Sequence, residues 1–172
     1  MIVEEKGLTP DGHPYMIIVM EDLGTRNGYV GVFSDSVFYK KSYNGEEDEE
    51  VSLVYNISVH GGLTYSGFLG RHIIGADNPY FFGFDCNHLD DGRIDDTEMT
   101  ELVNKYLRTS SYHEKQQVIN RYKLMTQMMS SFEMRDMPKT KEYVRDECFN
   151  LSKQLKEMED NHVAVWYGKT II

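Results

Sequence analysis

Apolar and polar positions divide the chain near residue 94. Before it, apolar residues come in short runs. Residues 15–20 are continuously apolar and predict a buried strand, and residues 29–33 predict a second. Between them, Leu23-Gly24-Thr25-Arg26-Asn27-Gly28 reads as a turn, with Asn27-Gly28 the stronger hairpin signal. Residues 53–59 alternate, with Leu53, Tyr55, Ile57 and Val59 on one face, which is strand period. Residues 80–84 form an aromatic strand that delivers Asp85, Cys86 and His88 to its end.

After residue 94 the spacing becomes helical. Asp95-Asp96-Thr97-Glu98 offers N-cap acids, and Met99, Leu102, Val103 and Tyr106 follow at helical intervals. A longer helix is predicted over 112–134 from Val118, Tyr122, Met125, Met129 and Phe132, and Pro138 ends it. A third is predicted over 140–159, with Val144, Cys148, Leu151, Leu155 and Met158 on one stripe. Residues 163–167 read as a last short strand. Strands first and helices later predict an α+β fold: a mainly antiparallel β-sheet with C-terminal helices forming an αα-hairpin. Residues 1–172 read as a single domain, with 94–137 a helical insertion dispensable for the core fold.

Composition narrows the function classes. Hydrophobic residues make up 40% and charged residues 27%, as in a soluble globular protein. The net charge of -10 argues against duplex nucleic acid as a partner, because phosphate neutralisation needs clustered Lys and Arg. A small anion needs only one or two cations and a few backbone N–H groups, so it stays open. Residues 46–50 are five acids in a row and read as a solvated loop. Cys86 and Cys148 do not make a disulfide framework. The first six residues carry charge and no long apolar run, so no secretory signal is expected, and no stretch approaches about 18 apolar residues, so no membrane span is expected.

The chemistry gathers between His60 and His88. In His60-Gly61-Gly62-Leu63-Thr64-Tyr65-Ser66, two glycines free backbone N–H groups for an anion, Thr64 and Ser66 add hydroxyls, and Tyr65 offers a stacking face. Arg71 and His72 supply charge nearby. The competing reading is a hairpin turn that merely needs glycine. His60, Asp85, Cys86 and His88 are the second constellation: a ligand pocket, a zinc or thiolate centre, or a buried cysteine beside strand-capping polar groups. Strand alternation sends Cys86 toward the aromatic core side and Asp85 toward the site. Residues 87–98 mimic a calcium loop at Gly92, Ile94 and Glu98, with Asp91 and Asp95 as further oxygens. Leu89 stands at its third position and cannot ligate, so an acidic turn capping the next helix is expected. His13, His113 and His162 read as surface or turn histidines.

Three segments carry a resemblance: Gly28-Tyr29-Val30-Gly31-Val32, Val59-His60-Gly61-Gly62-Leu63-Thr64-Tyr65-Ser66, and Phe82-Gly83-Phe84-Asp85-Cys86-Asn87-His88. With the helix at Glu142-Tyr143-Val144-Arg145-Asp146-Glu147-Cys148, they resemble, in the same order, a group of small bacteriophage and prophage proteins. The chain departs from that group at Ser34-Asp35-Ser36-Val37-Phe38-Tyr39, where a Gly-His-Pro segment is usual, and over 94–137. The resemblance implies a phage accessory protein acting in the host cytoplasm and carries over no activity or site.

Together these readings predict a protein that binds a small polar or nucleotide-like ligand, in a phage setting a sequestered host immune signal. The ligand-binding set is His60, Gly61, Gly62, Thr64, Tyr65, Ser66, Arg71, Asp85 and His88, expected to converge on one pocket. No metal or cofactor is assigned, catalytic residues are left unknown, and a homo-oligomer is left open. One alternative is a hydrolase using Cys86, or a metal held by His60, His88 and an acid. Another is an acidic inhibitor that blocks a host defence protein through residues 46–50 or the helical insertion.

Overall fold

The computed structural model describes residues 1–44, 53, 56–70, 78–88, 91–129 and 137–168, with the side chains of 129 and 162–168 outside the description. Five strands, β1 (Ile2–Leu8), β2 (Pro14–Met20), β3 (Thr25–Val32), β4 (Tyr65–Gly67) and β5 (Tyr80–Asp85), form one antiparallel sheet in the order β1-β2-β3-β5-β4. Three helices follow: α1 (Asp96–Tyr106), α2 (Tyr112–Met129) and α3 (Lys141–Gly168). The class is α+β, with an antiparallel sheet first and the helices after it.

The apolar run at 15–20 becomes β2, which is buried because it is central and covered on both faces. The hairpin to β3 turns before the Asn27-Gly28 signal. The N–H groups of Leu23 and Gly24 both donate to the Met20 carbonyl, at 3.0 and 2.8 Å, and Gly24 takes a φ of 67°. Asn27 and Gly28 instead lie inside β3, opposite Ile18 and Ile17. Packing decides this: a Cβ on Gly28 would fall into the Phe84 ring and against Cys148 Sγ. Glycine is there for close approach of α3, not for a turn.

β1 carries too much charge to announce itself as a strand. The register shifts between Val3 and Glu5, and Glu4 is left out of the ladder. Its buried carboxylate takes Arg26, with Nε–Oε2 at 2.6 Å and Nη2–Oε1 at 3.1 Å. Arg26 also donates to Glu98 of α1 at 2.5 Å and to the Lys139 carbonyl at 3.0 Å. One guanidinium therefore ties β1, β3, α1 and the segment before α3. Glu5 accepts two 2.5 Å bonds from Arg145 and one of 2.6 Å from Tyr15; Arg145 is the main cause that holds its carboxyl at about 2.

Among the described residues three apolar clusters involve the sheet, one of them Met16, Ile18, Tyr29 and Phe81. Val144, Cys148, Leu151 and Leu155 of α3 pack on Tyr15, Ile17, Val30, Phe82 and Phe84. Ile94, Met99, Leu102, Val103, Ile119 and Tyr122 close over Ile2 and Val19. The helical hairpin joins α1 to α2, whereas α3 lies on β3 and β2. Asp95 caps α1 by accepting the Glu98 N–H at 2.8 Å. Residues 163–167 read as strand in the sequence but continue α3, because neither proline nor glycine interrupts the chain from Lys141 to Gly168.

Residues 53 and 56–59 do not form the expected strand. The Leu53 carbonyl accepts from the N–H groups of Asn56 and Ile57, at 3.1 and 2.9 Å, so this is a helical turn. Leu53 and Ile57 are both buried because four residues also bring two side chains to one helical face. Of the two readings of His13, surface or turn, the turn holds. It sits at the β1–β2 turn, is buried, and its Nδ1 lies 2.9 Å from Ser152 Oγ.

Candidate functional site

Among the described residues Ser58 and His60 have no strand partner, so their backbone polar groups need side chains. The polar face of α3 supplies them. Glu147 accepts the His60 N–H at 2.8 Å. Gln154 accepts the Ser58 N–H at 2.8 Å, and the Ser58 carbonyl accepts from Asn150 and Gln154, both at 2.9 Å. Residues 143, 147, 150 and 154 recur at helical spacing beside the apolar stripe. The helix that covers the sheet therefore also fixes where His60 stands.

β5 brings the other half. Its end carries the chain to His88, and Asp91 folds back on it: the His88 N–H donates to Asp91 Oδ2 at 3.0 Å, and the Asp91 N–H donates to the His88 carbonyl at 3.0 Å. The same carboxylate oxygen lies 2.9 Å from His60 Nε2 and 3.1 Å from His88 Nδ1. The two imidazoles meet edge to face with centroids 5.3 Å apart. Lys139 Nζ is 3.4 Å from Asp91 Oδ1. The Asp91 side chain is 3% exposed, and that of His88 is 41% exposed. The cluster is rooted in the protein on the Asp91 side and open to solvent on the His88 side.

Burial would raise the Asp91 carboxyl, but hydrogen bonds from His60 and His88 outweigh it and hold the group at about 2. Asp91 is therefore an anion at neutral pH. Each donor atom offered here, two imidazole nitrogens and one carboxylate oxygen, lies within 4.8 Å of the others. That is the donor chemistry of a divalent transition-metal site.

Of the residues expected to line one pocket, His60, Gly61 and His88 come together. Gly61 has a φ of 64°, and a Cβ there would fall inside the His88 imidazole. Gly62 also has a positive φ of 85°, but nothing lies within 4 Å of its added Cβ. Its N–H donates to the Val59 carbonyl at 3.0 Å, so that amide closes the turn rather than facing an anion. Thr64 extends the β4–β5 pairing through its N–H to the Gly83 carbonyl at 2.9 Å. The Ser66 hydroxyl accepts from the Tyr43 N–H at 3.2 Å.

Tyr65 and Asp85 take the other face of the sheet. Tyr65 and Tyr29 both stand opposite Gly83, and Asp85 is two residues along β5 from it. Tyr65 packs edge to face on Tyr29 at 5.5 Å, and Asp85 accepts the Asn87 N–H at 3.1 Å. α3 and the His60 contacts lie on the Gly28 and Phe84 face. Arg71 lies outside the described residues. Cys86 points into the core as alternation predicts, and burial pushes its thiol to about 12, far from a reactive thiolate. The calcium-loop pattern does not assemble: Asp91 turns to the histidines and Asp95 caps α1.

Sequence reasoning gave Asp91 no place beside the histidines, and it passed over Tyr143, Glu147 and Lys139. The four-residue spacing of Tyr143 and Glu147 beside the stripe was the only local signal. No known protein family, curated protein or solved structure matches the chain.

The contrast between the two glycines makes a test of this geometry. Gly61→Ala and Gly62→Ala should each cost about 1 kcal/mol for a left-handed alanine. Gly61→Ala must in addition displace His88, and is expected to cost about 1–2 kcal/mol more by urea unfolding. Equal losses would mean that the His88 ring does not rest on Gly61.

Proposed function

We propose that the chain is a metal-dependent hydrolase of a small polar substrate, holding one divalent transition-metal ion at His60, His88 and Asp91. The observation that carries this reading is that His60, His88 and Asp91 each bring one ligand atom within 4.8 Å of the others. Donors about 2.0–2.2 Å from a zinc ion stand roughly 3–3.5 Å apart, and the oxygen here is 2.9 and 3.1 Å from the two nitrogens.

Three protein donors are the number typical of catalytic rather than structural zinc, because they leave a position for water or substrate. When bound, such an ion makes that water acidic near neutral pH. The chain's own residues do the rest. Asp91 presents Oδ2 and gives Oδ1 to Lys139. Glu147 holds the backbone of His60, and Gly61 makes room for His88. The exposed side of His88 is where a small polar ligand reaches the centre. Resemblance to phage and prophage proteins supports a bacterial host as the setting.

The test is equilibrium dialysis of chelator-stripped protein against zinc, followed by assay of the stripped and zinc-loaded protein on ester, amide and phosphoester substrates. One zinc per chain is expected in the wild type, with affinity at least about 100-fold weaker in Asp91→Ala and His88→Ala, beyond what outer partners carry. Zinc uptake that ignores both substitutions, or no uptake at all, would leave a hydrogen-bonded polar cluster and no centre.

A further inference from the structure

We infer that Tyr143 is a positioning residue of this centre, holding the His60 ring with Nε2 toward the ion and accepting the Nδ1 proton once the ion is bound. The inference rests on the metal reading above. His60 presents two different nitrogens to two different partners. Nε2 lies 2.9 Å from Asp91 Oδ2, and Nδ1 lies 3.1 Å from the Tyr143 phenol oxygen. The Tyr143 ring stands edge to face on the imidazole, with centroids 5.7 Å apart and planes at 89°.

A neutral imidazole carries one N–H and one lone pair, and the lone pair must face a metal. If Nε2 takes the ion, the proton sits on Nδ1 and needs an acceptor. The Tyr143 oxygen is that acceptor. His88 is held differently. It faces Asp91 through Nδ1, and its position is set by its backbone N–H on the same carboxylate and by contact with Gly61. The two histidines therefore offer opposite nitrogens, and His60 is the one whose ring is held by another side chain.

Tyr143 is itself held in place. It lies in the first turn of α3, where its N–H donates to Thr140 Oγ1 at 3.1 Å. The Lys139 ammonium stands 5.7 Å from its ring centroid. Tyr143→Phe keeps the ring and removes only the hydroxyl.

The experiment measures zinc affinity by competition with a chromophoric chelator, and reads the His60 tautomer by long-range proton–nitrogen NMR on the full chain. Zinc-loaded wild type is expected to show His60 protonated on Nδ1. Tyr143→Phe is expected to bind zinc about 10–100-fold more weakly, with zinc-loaded His60 no longer held to ligation through Nε2 alone. Wild-type affinity and unchanged Nε2 ligation in zinc-loaded Tyr143→Phe would overturn the inference and leave the metal reading standing. No zinc uptake by the wild type would overturn both. Should the variant fail to fold, the wild-type spectrum still decides: His60 ligated through Nδ1 sinks the proposal.

Discussion

Joining Arg93 to Pro138 through a short Gly/Ser linker is expected to yield a chain without a cooperative unfolding transition. The period of residues 94–137 makes the segment read as a self-contained addition. Its first helix, however, also packs on β1. Removing it takes away Ile94, Met99, Leu102, Val103, Ile119 and Tyr122, and uncovers Ile2 and Val19. Each such side chain contributes about 1.5–3 kcal/mol when fully buried, against a total stability of about 5–15 kcal/mol for a typical domain. The β2–β3 turn loses support as well, because the Gly24 carbonyl accepts the Ile94 N–H at 2.9 Å and the Tyr122 ring rests on Gly24. Urea unfolding followed by circular dichroism checks this. A single steep transition near the wild-type midpoint would show that the sheet and α3 stand by themselves.

Arg26→Ala is expected to cost about 3–5 kcal/mol, the range for breaking a buried ion pair from one side. For a chain of this size that lowers the thermal midpoint by roughly 10–15 °C. The Arg26 and Glu4 side chains are 4% and 6% exposed, so a lone Glu4 carboxylate is left with little water. Glu98 is 40% exposed and is rehydrated instead. Replacing both members, as in Arg26→Met with Glu4→Leu, should recover much of the loss, because no uncompensated charge remains. The single substitution also loosens Lys139, whose carbonyl sits on Arg26 while its ammonium faces Asp91. Weaker zinc binding should therefore accompany the lower midpoint. A midpoint loss under about 3 °C would mean that water reaches Glu4 freely.

Local pattern was enough wherever one short stretch carried its own reason. β2 is apolar over its whole length, and β5 up to Asp85, because an interior strand needs both faces covered. The cap of α1 at Asp95 and the stripe from Val144 to Leu155 needed only neighbours in sequence. Local pattern misled where a distant group had the casting vote. Asn27-Gly28 has turn chemistry, yet Phe84 and Cys148 claim the space beside Gly28 and keep it in a strand. β1 is polar because its carboxylates answer Arg26 and Arg145, which a reading of residues 1–8 alone does not show.

The site divides in the same way. The sequence by itself determined that His60 and His88 stand at the ends of apolar segments with glycine beside them, and that Cys86 turns inward. Tertiary structure alone decided which polar groups meet. Pairing register sent Tyr65 and Asp85 to one face of the sheet, while α3 fixed His60 on the other. Asp91 lies 31 positions from His60 and reaches it only because the chain folds back after β5. Hydrophobic periodicity is a property of neighbours, so it survives in the sequence. A constellation of donors is a property of the folded backbone, and no local pattern encodes it.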